Sequence, residues 1–143
     1  MCTKGDIILI DSYKSNGVVL PKHTFIVIDD SGGEIESLSF DYIATVMSSE
    51  KSIDQLKRKL NYPGNFPIAA TEQTITDPPG GNKKNGYTKC EQFYYFKKEK
   101  ITYKVIGKLN SGVLDIVLDY INELIDNHVE FEHIIDNLNS WSD

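Results

Sequence analysis

His23 stands directly before the run TFIVI. Histidine is the side chain whose ordinary pKa lets it both donate and accept protons near neutrality, so it can serve as acid or base. Lys22 precedes it and can supply charge, though not in the bidentate fork an arginine offers. Downstream, KCEQ (89–92) sets Lys89 and Glu91 two residues apart. On a strand that spacing puts both side chains on one face. A carboxylate beside an ammonium suits an acid or base paired with a phosphate anchor. The same spacing suits a cross-strand ion pair on the surface equally well. His23 also fits a solvent-facing loop residue at the start of a strand.

FYYF (93–96) follows, and alternation sends Phe93 and Tyr95 to one face, Tyr94 and Phe96 to the other. One face belongs to the core. The other can offer a stacking platform for single-stranded nucleic acid, with Tyr94 as the ring that meets a base or protonates a leaving group. Lys83 and Lys84 lie in TEQTITDPPGGNKKNGYT (71–88), whose Pro78-Pro79-Gly80-Gly81 and Asn85-Gly86 predict a long loop. They can touch phosphate or simply keep the loop solvated.

The elements that must position these residues are short. IILI (7–10) and FIVI (25–28) read as strands, with Asn16-Gly17 as a turn signal between them. Further strands are predicted near 34–39, at 41–47, 66–70, 89–96 and 103–107. Residues 48–60 read as a helix with acids early and Lys57, Arg58 and Lys59 late, ended by Pro63-Gly64. A second helix is predicted from Asn110 or Ser111 to about Ile125, with Val113, Val117, Ile121 and Leu124 on one stripe. A short third helix is expected over 129–138, within a helical C-terminal extension at 126–143. Many short strands, one inserted helix and a C-terminal helix favour a small barrel over a parallel sheet.

GDIILID (5–11), HTFIVIDD (23–30), IATVMSS (43–49), KCEQFYYF (89–96) and KVIGKL (104–109), in this order, resemble the PemK/MazF family of toxin-antitoxin ribonucleases. The resemblance spans residues 4 to about 125. It implies a mainly β, SH3-like barrel of the PemK/MazF/CcdB plasmid-toxin type, in one domain over 1–143. It also implies metal-independent cleavage of single-stranded RNA through a 2′,3′-cyclic phosphate, a homodimer and an antitoxin that covers the cleft. The family carries an arginine before its second strand, where this chain has His23. Its Thr-Ser or Thr-Ala pair corresponds to Ser48, which can also cap the following helix. Its Arg-Cys-Asp-Gln becomes Lys89-Cys90-Glu91-Gln92, and Tyr94 replaces a further arginine. The catalytic set implied is therefore His23, Ser48, Lys89 and Glu91, with Lys22, Tyr94, Lys83 and Lys84 on the RNA. Cleaving RNA without a metal needs a base for the 2′-hydroxyl, an acid for the 5′-oxygen and a cation at the phosphate. Both arginine positions are substituted, so a non-catalytic barrel that binds an antitoxin, nucleic acid or another protein is the competing expectation; CcdB-like toxins bind gyrase in that way.

Composition bounds the rest. The 143 residues suffice for one domain and 40% are hydrophobic, enough for a packed core. The net charge of −6 argues against broad duplex binding but leaves room for a local basic cleft. Arg58 is the sole arginine. Cys2 and Cys90 make no disulfide framework, and His23, His128 and His133 are scattered, so no metal or cofactor is expected. The apolar runs are too short to span a bilayer and the N-terminus has no apolar signal region, so a cytoplasmic location is expected.

Overall fold

Asn16 and Gly17 both adopt left-handed backbone, at φ 51° and 84°, as a two-residue hairpin turn requires. They join β1 (Asp6–Ser15) to β2 (Val18–Asp29), paired antiparallel from Ile7↔Ile26 to Ser15↔Val18. The strands run further into the turn than the apolar runs alone suggest. A tight turn keeps its flanking residues in register, whatever their polarity. The structure, a computed structural model, describes residues 2–49, 53–68, 74–76 and 86–139.

From this hairpin the sheet grows both ways. β5 (Tyr42–Ser49) pairs with β2, and β9 (Gln92–Phe96) pairs with β5. β11 (Glu132–Ile134) adds to β9 in parallel. On the other side β10 (Tyr103–Leu109) pairs with β1, and β7 (Thr74–Thr76) with β10. β8 (Gly86–Lys89) bridges β5 and β6 (Asn65–Ile68). A small separate hairpin is formed by β3 (Gly33–Ile35) and β4 (Leu38–Phe40). Among the described residues two α-helices, α1 (Ile53–Lys59) and α2 (Ser111–Asp126), complete a mainly β protein built on a curled, largely antiparallel half-barrel sheet.

The sheet is buried on both faces, which explains why IILI and FIVI are continuous rather than alternating. Ile8, Ile10, Phe25, Val27, Ala44, Tyr94 and Phe96 point into the curl. There Phe25 meets Tyr13, Tyr94 and Phe96 edge-on at 4.9, 5.1 and 5.2 Å between ring centroids, contacts worth about 0.5–1.5 kcal/mol each beyond area. Ile7, Ile26, Ile28, Met47 and Ile106 face the other way and pack against Val117, Ile121 and Leu124 of α2. The stripe predicted for α2 is the one that is buried.

Residues 127–139 depart from the expected third helix. They form β11 and a single 3₁₀ turn at Asp136–Leu138. His128 takes φ 60° just after α2, which breaks helical continuity. The segment instead closes the curl. Asn137 is fully buried, and its amide accepts from Lys14 N–H at 2.7 Å and donates to Lys14 C=O at 2.9 Å. Its side chain thereby pairs with the backbone of β1 as a neighbouring strand would. Asp136 accepts from Gly17 N–H at 2.7 Å, and Asn16 donates to Glu132 at 3.3 Å. The expected 71–88 loop is likewise narrower, since 74–76 and 86–88 are strand; Lys83 and Lys84 lie outside the described residues. Among the described residues no helix is long and apolar enough to cross a membrane.

Candidate functional site

The register of β2, β5 and β8 assembles the site. Phe25 and Val46 are partners. His23 and Ser48 each lie two residues further towards the same end, on the face of their strands that Phe25 and Val46 occupy. Ser48 pairs with Tyr87 of β8, and Lys89 stands two residues beyond Tyr87 on the same side of that strand. His23 and Ser48 thus stand level at the polar end of the aromatic core, and Lys89 leaves the same face of the adjacent strand two residues back, level with Val46. The three lie far apart in the chain, and only strand pairing brings them together.

His23 is a half-buried strand residue, not part of a solvent-facing loop. Its ring rests edge-on against Tyr13 and Phe25, at 6.1 and 6.2 Å. Nε2 lies 2.6 Å from the Met47 carbonyl. A carbonyl only accepts, so Nε2 carries the hydrogen and Nδ1 keeps the lone pair of the neutral ring. A base oriented by a backbone carbonyl is suited to proton abstraction. Lys22 is exposed, and alternation turns it to the opposite face of β2 from His23.

Ser48 is half-buried inside β5, which runs on to Ser49, so it is a strand residue rather than a helix cap. Beneath this row, Thr88 Oγ1 donates to Val46 O at 3.0 Å and shares a hydrogen bond of 2.7 Å with Thr45 Oγ1. These buried hydroxyls hold β8 against β5.

Glu91 departs from the expected geometry. β8 ends at Lys89 and β9 starts at Gln92, so Cys90 and Glu91 form a bulge between two strands, and the two-residue alternation does not apply. The bulge is held by Cys90 N–H donating to Gly64 O at 2.7 Å and Glu132 N–H donating to Glu91 O at 2.9 Å. The Glu91 carboxyl packs on Gly64 so closely that a Cβ there would sit 1.8 Å from Oε2. Oε2 is buried without a hydrogen-bond partner among the described residues. Burial pushes the Glu91 carboxyl up from the usual carboxylate range; its own backbone amide and Lys89 pull it down, and Glu132 adds to the rise. It lines a cleft of about 440 Å³ with Gln92, Glu130, Phe131 and Glu132. Lys89 and Glu91 are coupled through their charges while their side chains serve different surroundings.

Tyr94 overturns the stacking expectation. It is 4% exposed, packs in the aromatic core and shares a hydrogen bond of 3.1 Å with Ser15 Oγ. The opposite face of FYYF is closed too: Tyr95 lies under Phe40 and 2.7 Å from His133 Nδ1, and Phe93 packs on Phe131. Both faces of β9 are covered because Tyr94 and Phe96 lie in the aromatic core, while Phe40, Phe131 and His133 close the other face. Cys2 and Cys90 are buried free thiols, and desolvation pushes Cys90 up to about 12, which keeps it protonated and unreactive. Among the described residues no group of three or more His, Cys, Asp or Glu is arranged to hold a metal ion.

Two residues of this region escaped the sequence reading. Tyr87 faces Ser48 through register alone, and nothing in its neighbourhood signals that. Gly64 belonged to a turn signal, Pro63-Gly64, whose partner Glu91 becomes visible only in three dimensions. No protein-family model matches this chain, and no curated protein matches it.

Proposed function

We propose that this chain is an endoribonuclease of the PemK/MazF toxin kind, which cleaves single-stranded RNA by attack of the ribose 2′-hydroxyl and leaves a 2′,3′-cyclic phosphate. The observation that carries this reading is the row of His23, Ser48 and Lys89 on one face of three adjacent strands. In the proposed reaction His23 Nδ1 takes the proton of the 2′-hydroxyl. Lys89 steadies the charge that builds on the phosphate, and the Ser48 hydroxyl donates to a phosphate oxygen. The acid assigned to the departing 5′-oxygen is Glu91, whose proton affinity is raised by its burial. A symmetric homodimer and an antitoxin partner belong to the same proposal.

The test is incubation with a mixed-sequence single-stranded RNA and detection of 2′,3′-cyclic phosphate ends. DNA and 2′-O-methyl RNA should survive, and chelators should leave the rate unchanged. His23→Ala should cost about 10²–10⁴-fold in cleavage. It should cost only about 1 kcal/mol in stability, from the lost bond to Met47. Cleavage of DNA, or a His23→Ala enzyme that keeps its rate, rejects the mechanism.

A second reading is a non-catalytic half-barrel that binds an antitoxin, nucleic acid or another protein. It is favoured by the burial of Tyr94 and the turning aside of Glu91 into an acidic cleft, which remove two residues from the expected row. An intact protein that cuts no RNA would select it.

A further inference from the structure

The last turn of α1 and the turn after it carry Lys57, Arg58, Lys59 and Tyr62. Lys57 and Arg58 are exposed, and Tyr62 is 60% exposed, the most of any large hydrophobic side chain among the described residues. Lys59 Nζ stands 5.7 Å from the centre of the Tyr62 ring, a cation–π contact that holds the ring at the surface. Cations at a helix C-terminus complement the helix dipole. That role asks for no aromatic ring beside them, and an exposed ring costs solvation. Among the described residues the only ion pair within 4 Å is Lys97–Glu99, so these cations are in no described ion pair, and Asp54 in the first turn is the one described acid of α1. They form a concentrated positive patch, with the sole arginine, on a chain of net charge −6.

The patch is tied to the candidate site. Asn65 pairs with Lys89 across β6 and β8. Asn65 donates through Nδ2 to Lys59 O at 2.7 Å and through its N–H to Tyr62 O at 3.3 Å. The cationic turn is therefore bonded to β6, the strand that lies one strand spacing, about 4.8 Å, from the strand that carries Lys89.

We infer that residues 57–62 form a subsite for single-stranded RNA, in which one base stacks on Tyr62 while Lys57 and Arg58 meet the adjoining phosphates. This rests on the ribonuclease reading for its place next to the reacting phosphate. Charge complementarity selects a polyanion, and the exposed ring selects one with unpaired bases, since bases within a duplex present no free face.

The test uses a fluorescein-labelled, single-stranded 2′-O-methyl oligonucleotide, which the proposed chemistry leaves intact. Tyr62→Ala should weaken its binding about tenfold, and Tyr62→Trp should retain it. The double variant Lys57→Gln, Arg58→Gln should lower the slope of log K against log salt by about 1.4. In cleavage of RNA the same variants should raise KM with kcat unchanged. All three side chains are exposed, and an unchanged melting temperature checks the fold of each variant. If the wild type cuts RNA and these variants bind and cut like it, the subsite is wrong and the ribonuclease reading stands. If the wild type cuts no RNA yet loses oligonucleotide binding on Tyr62→Ala, the catalytic reading fails and the subsite stands. If the patch binds polyglutamate and no oligonucleotide, the subsite is overturned in favour of an acidic protein partner.

Discussion

Residues 57–64 and residues 130–137 both border the bulge at Cys90 and Glu91, and they carry opposite charge. The first segment presents Lys57, Arg58, Lys59 and an exposed Tyr62. The second presents Glu130, Glu132 and Asp136, and with Glu91 it lines an acidic cleft. The bulge touches both at once, through Cys90 to Gly64 and through Glu91 to Glu132. Lys89 is paired with the cationic side across β6, and Glu91 is buried towards the acidic side. On the subsite proposal, opposite potentials on two borders of one bulge would orient a polyanion along the cationic turn and away from the C-terminal segment. The desolvated carboxyl then sits where charge is least welcome, which raises its proton affinity.

The largest test of this contrast is the residue where the borders meet. Gly64 has φ 94°, and its missing Cβ makes room for the Glu91 carboxyl. Gly64→Ala should destabilise by about 2–3 kcal/mol, read from the denaturant midpoint, because it combines left-handed strain with displacement of Glu91. A neutral result would mean that the turn and the bulge are not mechanically coupled. Next, Asn137→Ala removes both bonds to Lys14 and leaves a strand N–H and C=O without that partner. A loss of about 1–3 kcal/mol is expected. Hydrogen exchange should quicken at Lys14 and across β11 while α2 keeps its protection.

Glu91→Gln tests the sign of the electrostatics. The folded state holds the Glu91 proton more tightly than the unfolded chain does. Below the ordinary carboxylate range both states are protonated and nothing is lost. As pH rises through that range towards the raised folded value, the unfolded chain ionises first and stability falls. Glu91→Gln should therefore be more stable than the wild type at neutral pH and equal to it at about pH 3, as read from the denaturant midpoint. The same change should abolish cleavage if Glu91 is the acid. The smallest effect belongs to Glu130→Gln at the exposed edge of the cleft, within about 0.5 kcal/mol in stability. It should strengthen oligonucleotide binding slightly at low salt, and that gain should vanish as salt screens the cleft.

Local pattern made much of the frame legible. Asn16-Gly17 announced a hairpin, FIVI and IILI announced strands, and the stripe from Val113 to Leu124 announced α2 together with its buried face. Each depends on neighbours within a few residues, which is the range over which dihedral preference and periodicity act. Ser48 read equally well as cap or strand, because a serine before a helix looks alike in both. Tyr94 read as a base platform, because strand alternation assigns faces without saying what covers them. The segment 129–138 read as helix from its composition, while Asn137 obtained its partners from β1, more than a hundred residues earlier.

The β-rich class, the first hairpin, α2 and the residue types available for acid–base work are all legible in the chain read alone. Those properties follow from turn chemistry and from burial periodicity along one short stretch of chain. Only the tertiary structure decided that His23, Ser48 and Lys89 share a face, that Glu91 is turned into an acidic cleft, and that Tyr94 is core while Tyr62 is exposed. Strand register and the late closure by residues 127–139 govern these outcomes. Both arise from hydrogen bonds and contacts between distant segments, whose partners no local window of residues contains.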